Sequence, residues 1–173
     1  HIIMSFLFIA MLFIMIPRAS VSAGRIYEIL STPLSVADPK ESEEFDETKK
    51  GLVEFRNVSF QYPGANAAVL SHINFTAKPG ETTAFIGSTG SGKSTLINLI
   101  PRFYDVTEGC VYIDGVDVRS VKQHDLREKI GLVPQKGILF SGTIRSNLKY
   151  GAKDALDEDL NKIAEIAQAK EFI

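Results

Sequence analysis

The order of hydrophobic and polar residues divides the chain into three regions, and the first is a run of apolar residues. Residues 2–16 carry no charge and are almost all hydrophobic. As a helix they would extend about 22 Å, whereas the core of a bilayer needs about 30 Å. Because the run starts at the edge of the chain, we interpret residues 1–30 as the end of a transmembrane helix whose beginning is missing. Residues 20–30 are expected to continue this helix into the cytoplasm.

Two other interpretations of the apolar run remain open. The small residues at 21–23, followed by Gly24, resemble the cleavage site of a signal peptide, although no starting Met or basic segment precedes them. A buried core helix is the second alternative, but such a helix should be amphipathic. Arg18 and Arg25 follow the run with no acid before Glu28. By the positive-inside tendency, this end faces the cytoplasm.

Residues 31–50 form an acidic linker. They include Pro33 and Pro39 and the acids Asp38, Glu41, Glu43, Glu44, Asp46 and Glu47. Low hydrophobicity with clustered charge predicts a mobile, solvated segment.

From residue 51 onward, short apolar strands alternate with helical patterns, which predicts an α/β fold. The predicted strands are residues 52–56, 69–75, 82–86, 110–113 and 130–133. The predicted helices are residues 94–104, 123–129 and 143–148, with helical spacing of apolar residues again over 156–173.

Composition narrows the classes of function. The net charge of −2 argues against a nucleic-acid-binding protein, which would usually carry a basic excess. Cys110 is the only cysteine, so no internal disulfide is possible, and a reducing, cytosolic environment is the simplest expectation for the globular part.

A glycine-rich loop follows the third predicted strand, with the sequence Gly87-Ser88-Thr89-Gly90-Ser91-Gly92-Lys93-Ser94. It matches the pattern G-x-x-x-x-G-K-[ST] in full and stands between a predicted strand and a predicted helix. Its glycines allow backbone conformations that direct successive N–H groups at phosphate oxygens, and the helix adds its unpaired N-terminal N–H groups. The loop predicts binding of ATP or a close relative.

The side chains next to the loop have separate expected roles. Lys93 is suited to place a positive charge on the β- and γ-phosphates. Ser94 offers a hydroxyl oxygen of the kind that ligates Mg²⁺, and Thr95 is a predicted further phosphate contact. Kinases, GTPases and motor ATPases share this motif, so other segments must decide the class of protein.

Those segments resemble the ATP-binding subunit of an ABC transporter, specifically an exporter with membrane and ATP-binding domains on one chain. The resemblance covers essentially the whole chain, and it is carried by residues 16–28, 60–63, 112–115, 125–127, 132–135 and 139–148. It implies that residues 51–173 are the N-terminal part of an ABC ATP-binding domain of the P-loop NTPase class, ending inside its helical subdomain. The amino-acid sequence of the loop is most similar to that of bacterial multidrug-type exporters, including half-transporters.

Two of these segments imply further site residues. Phe60-Gln61-Tyr62-Pro63 resembles the A-loop of the family, which implies that Tyr62 stacks its rigid ring on the adenine. Leu132-Val133-Pro134-Gln135 resembles the Q-loop, which implies that Gln135 lies near the γ-phosphate, contributes to the arrangement of Mg²⁺ and water, and acts in catalysis with Lys93. Without the resemblance, Tyr62 reads as a core residue at a strand end and Gln135 as a surface residue.

The resemblance also implies the setting of the intact protein. That setting is an ATPase and translocase in the plasma membrane, with its ATP-binding domain in the cytoplasm. It would pair with a second half-transporter, identical or different, and export a hydrophobic molecule, drug-like or lipid-like, with no nucleic acid as partner. The sequence contains no Leu-Ser-Gly-Gly-Gln signature, no Walker B strand ending in Asp-Glu and no switch histidine after it. We therefore expect a fragment that hydrolyses ATP negligibly on its own.

Two functions of other classes stay open. One is a soluble P-loop enzyme such as a small-molecule kinase. The apolar run and the position of Tyr62 argue against it. The other is a non-catalytic ATP-binding regulator, the degenerate half of a heterodimer. An acid other than Glu after the Walker B Asp would favour this second alternative.

Overall fold

The computed structural model describes residues 1–152 and 154–171, and the chain forms two compact units, His1–Ile130 and Gly131–Ile173. The elements of the first unit are α1 (Ile2–Ser31), a 3₁₀ turn (Glu47–Lys49), β1 (Val53–Phe60), β2 (Leu70–Ala77), α2 (Lys93–Leu99), β3 (Glu108–Ile113), β4 (Val116–Asp117) and α3 (Gln123–Glu128). The second unit contains α4 (Ile144–Leu148) and α5 (Asp157–Ile166).

Helix α1 is continuous over 30 residues and includes Pro17. At 1.5 Å per residue it extends about 45 Å, and by length and composition it is able to cross a membrane. The prediction that residues 20–30 continue the apolar helix is therefore confirmed. None of its residues is buried against the rest of the described chain, which speaks against the alternative of a core helix.

The sheet is antiparallel throughout, with strand order β2-β1-β3-β4. In the central strand β1, Phe55, Val58 and Phe60 are buried. Between Phe55 and Val58 the register shifts, and Asn57 adopts a left-handed conformation with φ 51°. This bulge turns Val58 and Phe60 back to the buried side before the strand ends.

The core joins the inner face of the sheet to helices α2 and α3. Its buried members are Phe55, Val58, Phe60, Leu70, Leu96, Leu99, Val111, Ile113, Val116, Val118, Val121 and Leu126. Because the first turn of α2 contributes Thr95 and Leu96 to the buried residues, the glycine-rich loop before it is anchored to the same core as the sheet.

Two predicted strands are absent from the described residues. No strand is formed over 82–86 or over 130–133, and Ile86 is 96% and Val133 93% exposed. A strand exists through its hydrogen bonds to a neighbouring strand, and a β-branched composition does not by itself supply one. The prediction of strands at these two places was wrong for this structure.

The predicted helix over 94–104 is also shorter than expected. Helix α2 ends at Leu99, and Pro101 follows two residues later. Ile100 still has helical backbone angles, but Pro101 has no N–H to continue the helical hydrogen bonds, and Arg102 then turns left-handed at φ 53°. The chain therefore leaves the helix before Phe103 and Tyr104.

The acidic linker is mostly exposed, as its composition predicts, but it also makes specific contacts with the rest of the first unit. The Asp38 carboxylate accepts hydrogen bonds from the backbone N–H (2.9 Å) and the side-chain amide (3.1 Å) of Gln123, the first residue of α3. The backbone N–H of Gln123 lowers the pKa of Asp38. Farther along, the Glu43 N–H donates to the Ser120 carbonyl at 2.9 Å.

The end of the linker is fixed by Lys129. Its ammonium lies 2.9 Å from the Glu47 carboxylate, 3.6 Å from that of Asp114 and 4.7 Å from the centre of the Phe45 ring. The hydrogen bond from Lys129 lowers the pKa of Glu47. Charge in this linker is thus used for specific contacts as well as for solvation.

The second unit confirms the short helix predicted over 143–148. Thr143 caps α4, because its hydroxyl accepts from the Ser146 N–H at 3.1 Å while the Ser146 hydroxyl accepts from the Thr143 N–H at 2.9 Å. Of the helically spaced apolar residues of α5, Leu160 and Ala164 are buried, whereas Ile163 is exposed. Phe172 and Ile173, at the end of the predicted helical region, lie outside the described residues.

Candidate nucleotide-binding site

The glycine-rich loop leads directly into α2, and two of its glycines are required by the backbone. Gly90 has φ 83° and Gly92 has φ 87°, a region that side-chain-bearing residues rarely adopt. Gly92 is also tightly packed, since a Cβ there would lie 2.8 Å from Leu70 Cδ2 and 3.3 Å from the Val69 carbonyl oxygen. The loop therefore turns into the helix while its backbone touches the start of β2.

Lys93 lies across this loop. Its ammonium donates to the carbonyl oxygens of Gly87 (2.8 Å) and Ser88 (2.7 Å) and to the Ser91 hydroxyl at 3.3 Å. These contacts hold a positive charge against the loop, beside Gly90, where a side chain would meet no neighbouring atom. A phosphate group fits this arrangement, because hydrogen bonds from a cation to an anionic oxygen are stronger than those to neutral acceptors.

The two hydroxyl residues after Lys93 differ sharply in their surroundings. Ser94 is exposed, so its oxygen is accessible to a cation such as Mg²⁺, which prefers hard oxygen ligands. Thr95 is only 7% exposed, and its hydroxyl lies 3.1 Å from the Tyr62 hydroxyl. The role of Thr95 as a phosphate contact stays a prediction, and the structure gives its hydroxyl a second partner.

Tyr62 lies next to the helix that Lys93 begins. It follows the end of β1, is half-buried, and packs edge-on with Phe60 at 4.8 Å and with Tyr104 at 5.2 Å between ring centroids. The sequence separates Tyr62 from Thr95 by 33 positions, yet the fold brings the tyrosine hydroxyl against helix α2. Its stacking on a base stays a prediction.

Gln135 belongs to the second unit, where its side chain is exposed. Its expected place near the γ-phosphate, with a part in metal binding and catalysis, stays a prediction.

The structure adds Tyr104 to the residues found from the sequence. Tyr104 lies within 5.5 Å of Phe60 as well as 5.2 Å from Tyr62, measured between ring centroids. No periodic pattern connects these positions, because Tyr104 lies in the irregular segment that follows α2. A search for aromatic residues just after the loop helix would have found it.

A phosphate-binding loop on an α/β fold, with an aromatic side chain beside it, defines a nucleotide-binding domain of the P-loop class. Comparison with known proteins specifies the class further. The family model described as "ABC transporter" matches residues 70–173, more than half of the chain. The chain therefore belongs to the ABC transporter family.

Individual relatives agree with this assignment and with its exporter type. An uncharacterized ABC transporter ATP-binding protein of Mycobacterium bovis is 45% identical over 100% of this chain and 30% of its own length. An ATP-dependent lipid A-core flippase of Syntrophus aciditrophicus is 40% identical over 91% of this chain and 26% of its own. A putative multidrug export ATP-binding/permease protein of Staphylococcus aureus is 48% identical over 73% of this chain and 22% of its own.

A solved structure confirms the predicted fold class. The structure of a bacterial Atm1-family ABC exporter with ATP bound matches with a TM-score of 0.84 and 32% identity, over 94% of this chain and 28% of that one. The chain spans about 30% or less of the length of the relatives described here.

Proposed function

We propose that this chain is the ATP-binding portion of an ABC exporter that uses ATP to move a hydrophobic, drug-like or lipid-like molecule across the plasma membrane. The observation that carries the proposal is the Lys93 ammonium held across a glycine-rich loop, 2.8 and 2.7 Å from two of its carbonyl oxygens. The names of a flippase and of a multidrug export protein among the relatives support the class of substrate.

Each candidate residue has a role in this proposal. Lys93 and the loop amides bind the β- and γ-phosphates, and Tyr62 stacks on the base. Ser94 and Gln135 would hold Mg²⁺, whose charge would offset that of the phosphates. Gln135 also positions the attacking water.

The membrane and the second half-transporter complete the proposed assembly. Helix α1 has the length and composition of a membrane span, and residues 1–30 form the end of a transmembrane helix with its extension. Residues 31–50 link it to the ATP-binding domain, which begins at residue 51 and faces the cytoplasm. Two such domains close on ATP and reopen after hydrolysis, and the membrane helices alternate access accordingly.

The central test is the replacement of Lys93 by alanine in the intact protein in detergent. Loss of charge-assisted hydrogen bonds of about 1.5–3 kcal/mol should weaken ATP binding by about ten- to a hundredfold and abolish turnover. Binding is measured by calorimetry and turnover by phosphate release. Lys78→Ala, which removes an exposed lysine between β2 and the turn that follows it, serves as the matched control. Equal affinities of the two variants would refute the proposed site.

The 173 residues alone should not turn over ATP at a measurable rate. Their sequence supplies the phosphate-binding side chains but no Walker B acid, and phosphoryl transfer to water needs an oriented nucleophile as well as charge neutralisation. Phosphate release by the isolated chain that Lys93→Ala abolishes would contradict this expectation.

A further inference from the structure

Thr95 lies where the phosphate loop meets the rest of the proposed nucleotide site. It stands two positions after Lys93, in the first turn of α2, and is almost fully buried while Ser94 beside it is exposed. A buried hydroxyl without a partner destabilises a fold. The Tyr62 hydroxyl, 3.1 Å away, is the side-chain partner that the structure provides.

Tyr62 is held on its other sides as well. Phe60 and Tyr104 meet its ring edge-on, at 82° and 87° between ring planes, a geometry that stabilises aromatic pairs. The Ala65 N–H donates to the Tyr62 carbonyl at 3.0 Å, which closes the turn after β1. The bond to Thr95 is thus the contact that fixes the hydroxyl end of a ring already confined by its neighbours.

We propose that Thr95 is a positioning residue that acts through Tyr62, fixing this ring against the helix that carries Lys93 and Ser94. The proposal rests on the proposed function, in which Tyr62 stacks on the base. A nucleotide is then bound at two points whose spacing is set by one side-chain hydrogen bond before the ligand arrives. Preorganisation of this kind improves affinity because less freedom is lost on binding.

This role differs in a measurable way from a direct contact between Thr95 and phosphate. If the hydroxyl acts through the ring, its removal weakens only ligands that have a base. If it binds phosphate directly, its removal weakens tripolyphosphate as much as ATP. Because a hydroxyl accepts two hydrogen bonds and donates one, the geometry allows both contacts, and the two ligands separate them.

The experiment measures binding of Mg-ATP and of Mg-tripolyphosphate to the intact protein by calorimetry. Thr95→Val removes the hydroxyl at nearly constant volume, Tyr62→Phe removes the partner hydroxyl, and Thr95→Ser restores the bond. We expect each of the first two to weaken ATP binding about five- to tenfold, the size of one hydrogen bond, with tripolyphosphate changed less than about twofold. The double variant should bind ATP no more weakly than either single variant.

Matched controls separate the outcomes. Thr76→Val makes the same substitution at an exposed position of β2 and should leave ATP binding unchanged. Equal weakening of both ligands by Thr95→Val, or losses that add in the double variant, would overturn the proposal. If Thr95→Val fails to fold, Tyr62→Phe measured on both ligands decides the same question. Failure of the proposed function looks different, since the unmodified protein would then not bind ATP or Lys93→Ala would bind it equally well.

Discussion

Replacing Arg102 by methionine should destabilise the first unit strongly. The Arg102 side chain is 3% exposed, and its guanidinium meets both carboxylate oxygens of Asp105, at 2.7 and 3.2 Å. It also donates to the Ala37 carbonyl at 3.0 Å, so one buried cation joins the end of the loop helix to the linker. Arginine suits this place because its planar fork serves several acceptors at once.

The expected loss of unfolding free energy follows from the contacts that methionine cannot make. The apolar stem is retained, but the bonds to Asp105 and Ala37 are lost. Asp105 is 30% exposed, so water compensates part of the loss of its partner. Removing one member of a buried pair costs about 3–5 kcal/mol, and partial hydration places the expected loss of unfolding free energy at the lower end, about 3 kcal/mol. The linker should become mobile along with this loss.

Two measurements test this expectation on the intact protein in detergent. Urea unfolding followed by far-UV circular dichroism gives the change in stability, and hydrogen exchange of residues 37–47 reports release of the linker. Arg56→Met is the matched control, because Arg56 lies 3.0 Å from Glu54 but is 60% exposed, and it should leave the midpoint unchanged. Adding Asp105→Asn to Arg102→Met should recover part of the loss. The reasoning fails if Arg102→Met shifts the midpoint no more than Arg56→Met does.

Two further predictions concern backbone conformation and pH. Gly109→Ala should lower the free energy of unfolding in urea by about 2 kcal/mol or more beyond the effect of Gly64→Ala. Both glycines have φ near 78°, but only at Gly109 would a Cβ overlap the Asn57 carbonyl. Equal losses in the two variants would contradict this clash. Hydrogen bonds, first of all from the Thr48 hydroxyl, lower the pKa of Asp46 from 3.8 to about 2. A carboxylate with a lowered pKa stabilises the fold above its unfolded value and loses this effect as pH falls through the folded one. Acid titration of stability between pH 4 and 2 should therefore become less steep in Asp46→Asn, and an unchanged slope would contradict this.

Elements whose conformation depends on residues close by in the chain were predictable from the sequence. Thr143 and Ser146 form a capping box within one turn, and Asp114-Gly115 forms the two-residue turn between β3 and β4 with φ of 51° and 82°. The phosphate loop is of the same kind, because its conformation depends on its own glycines and on a lysine within the motif. Such features need no information about distant residues.

Features that depend on distant partners were not predictable in this way. The linker has the composition of a solvated spacer, and only the fold reveals that Gln123 and Lys129 face its carboxylates. The segment 82–86 shows the converse. Its composition is typical of a strand, but within the described residues no neighbouring strand pairs with it. For the candidate site, the motif identifies Lys93 and Ser94, whereas the contact between Thr95 and Tyr62 depends on the end of β1 reaching α2.

Lys93 connects the local conformation of the loop to the binding of a ligand. Its ammonium is held by the carbonyl oxygens of Gly87 and Ser88, which are exposed and can be hydrated when it leaves. Exchanging these neutral acceptors for a phosphate anion replaces charge–dipole contacts with a charge–charge contact, which is the stronger interaction at short range. In the proposed function, this lysine shapes the loop before a nucleotide arrives and binds the phosphate afterwards.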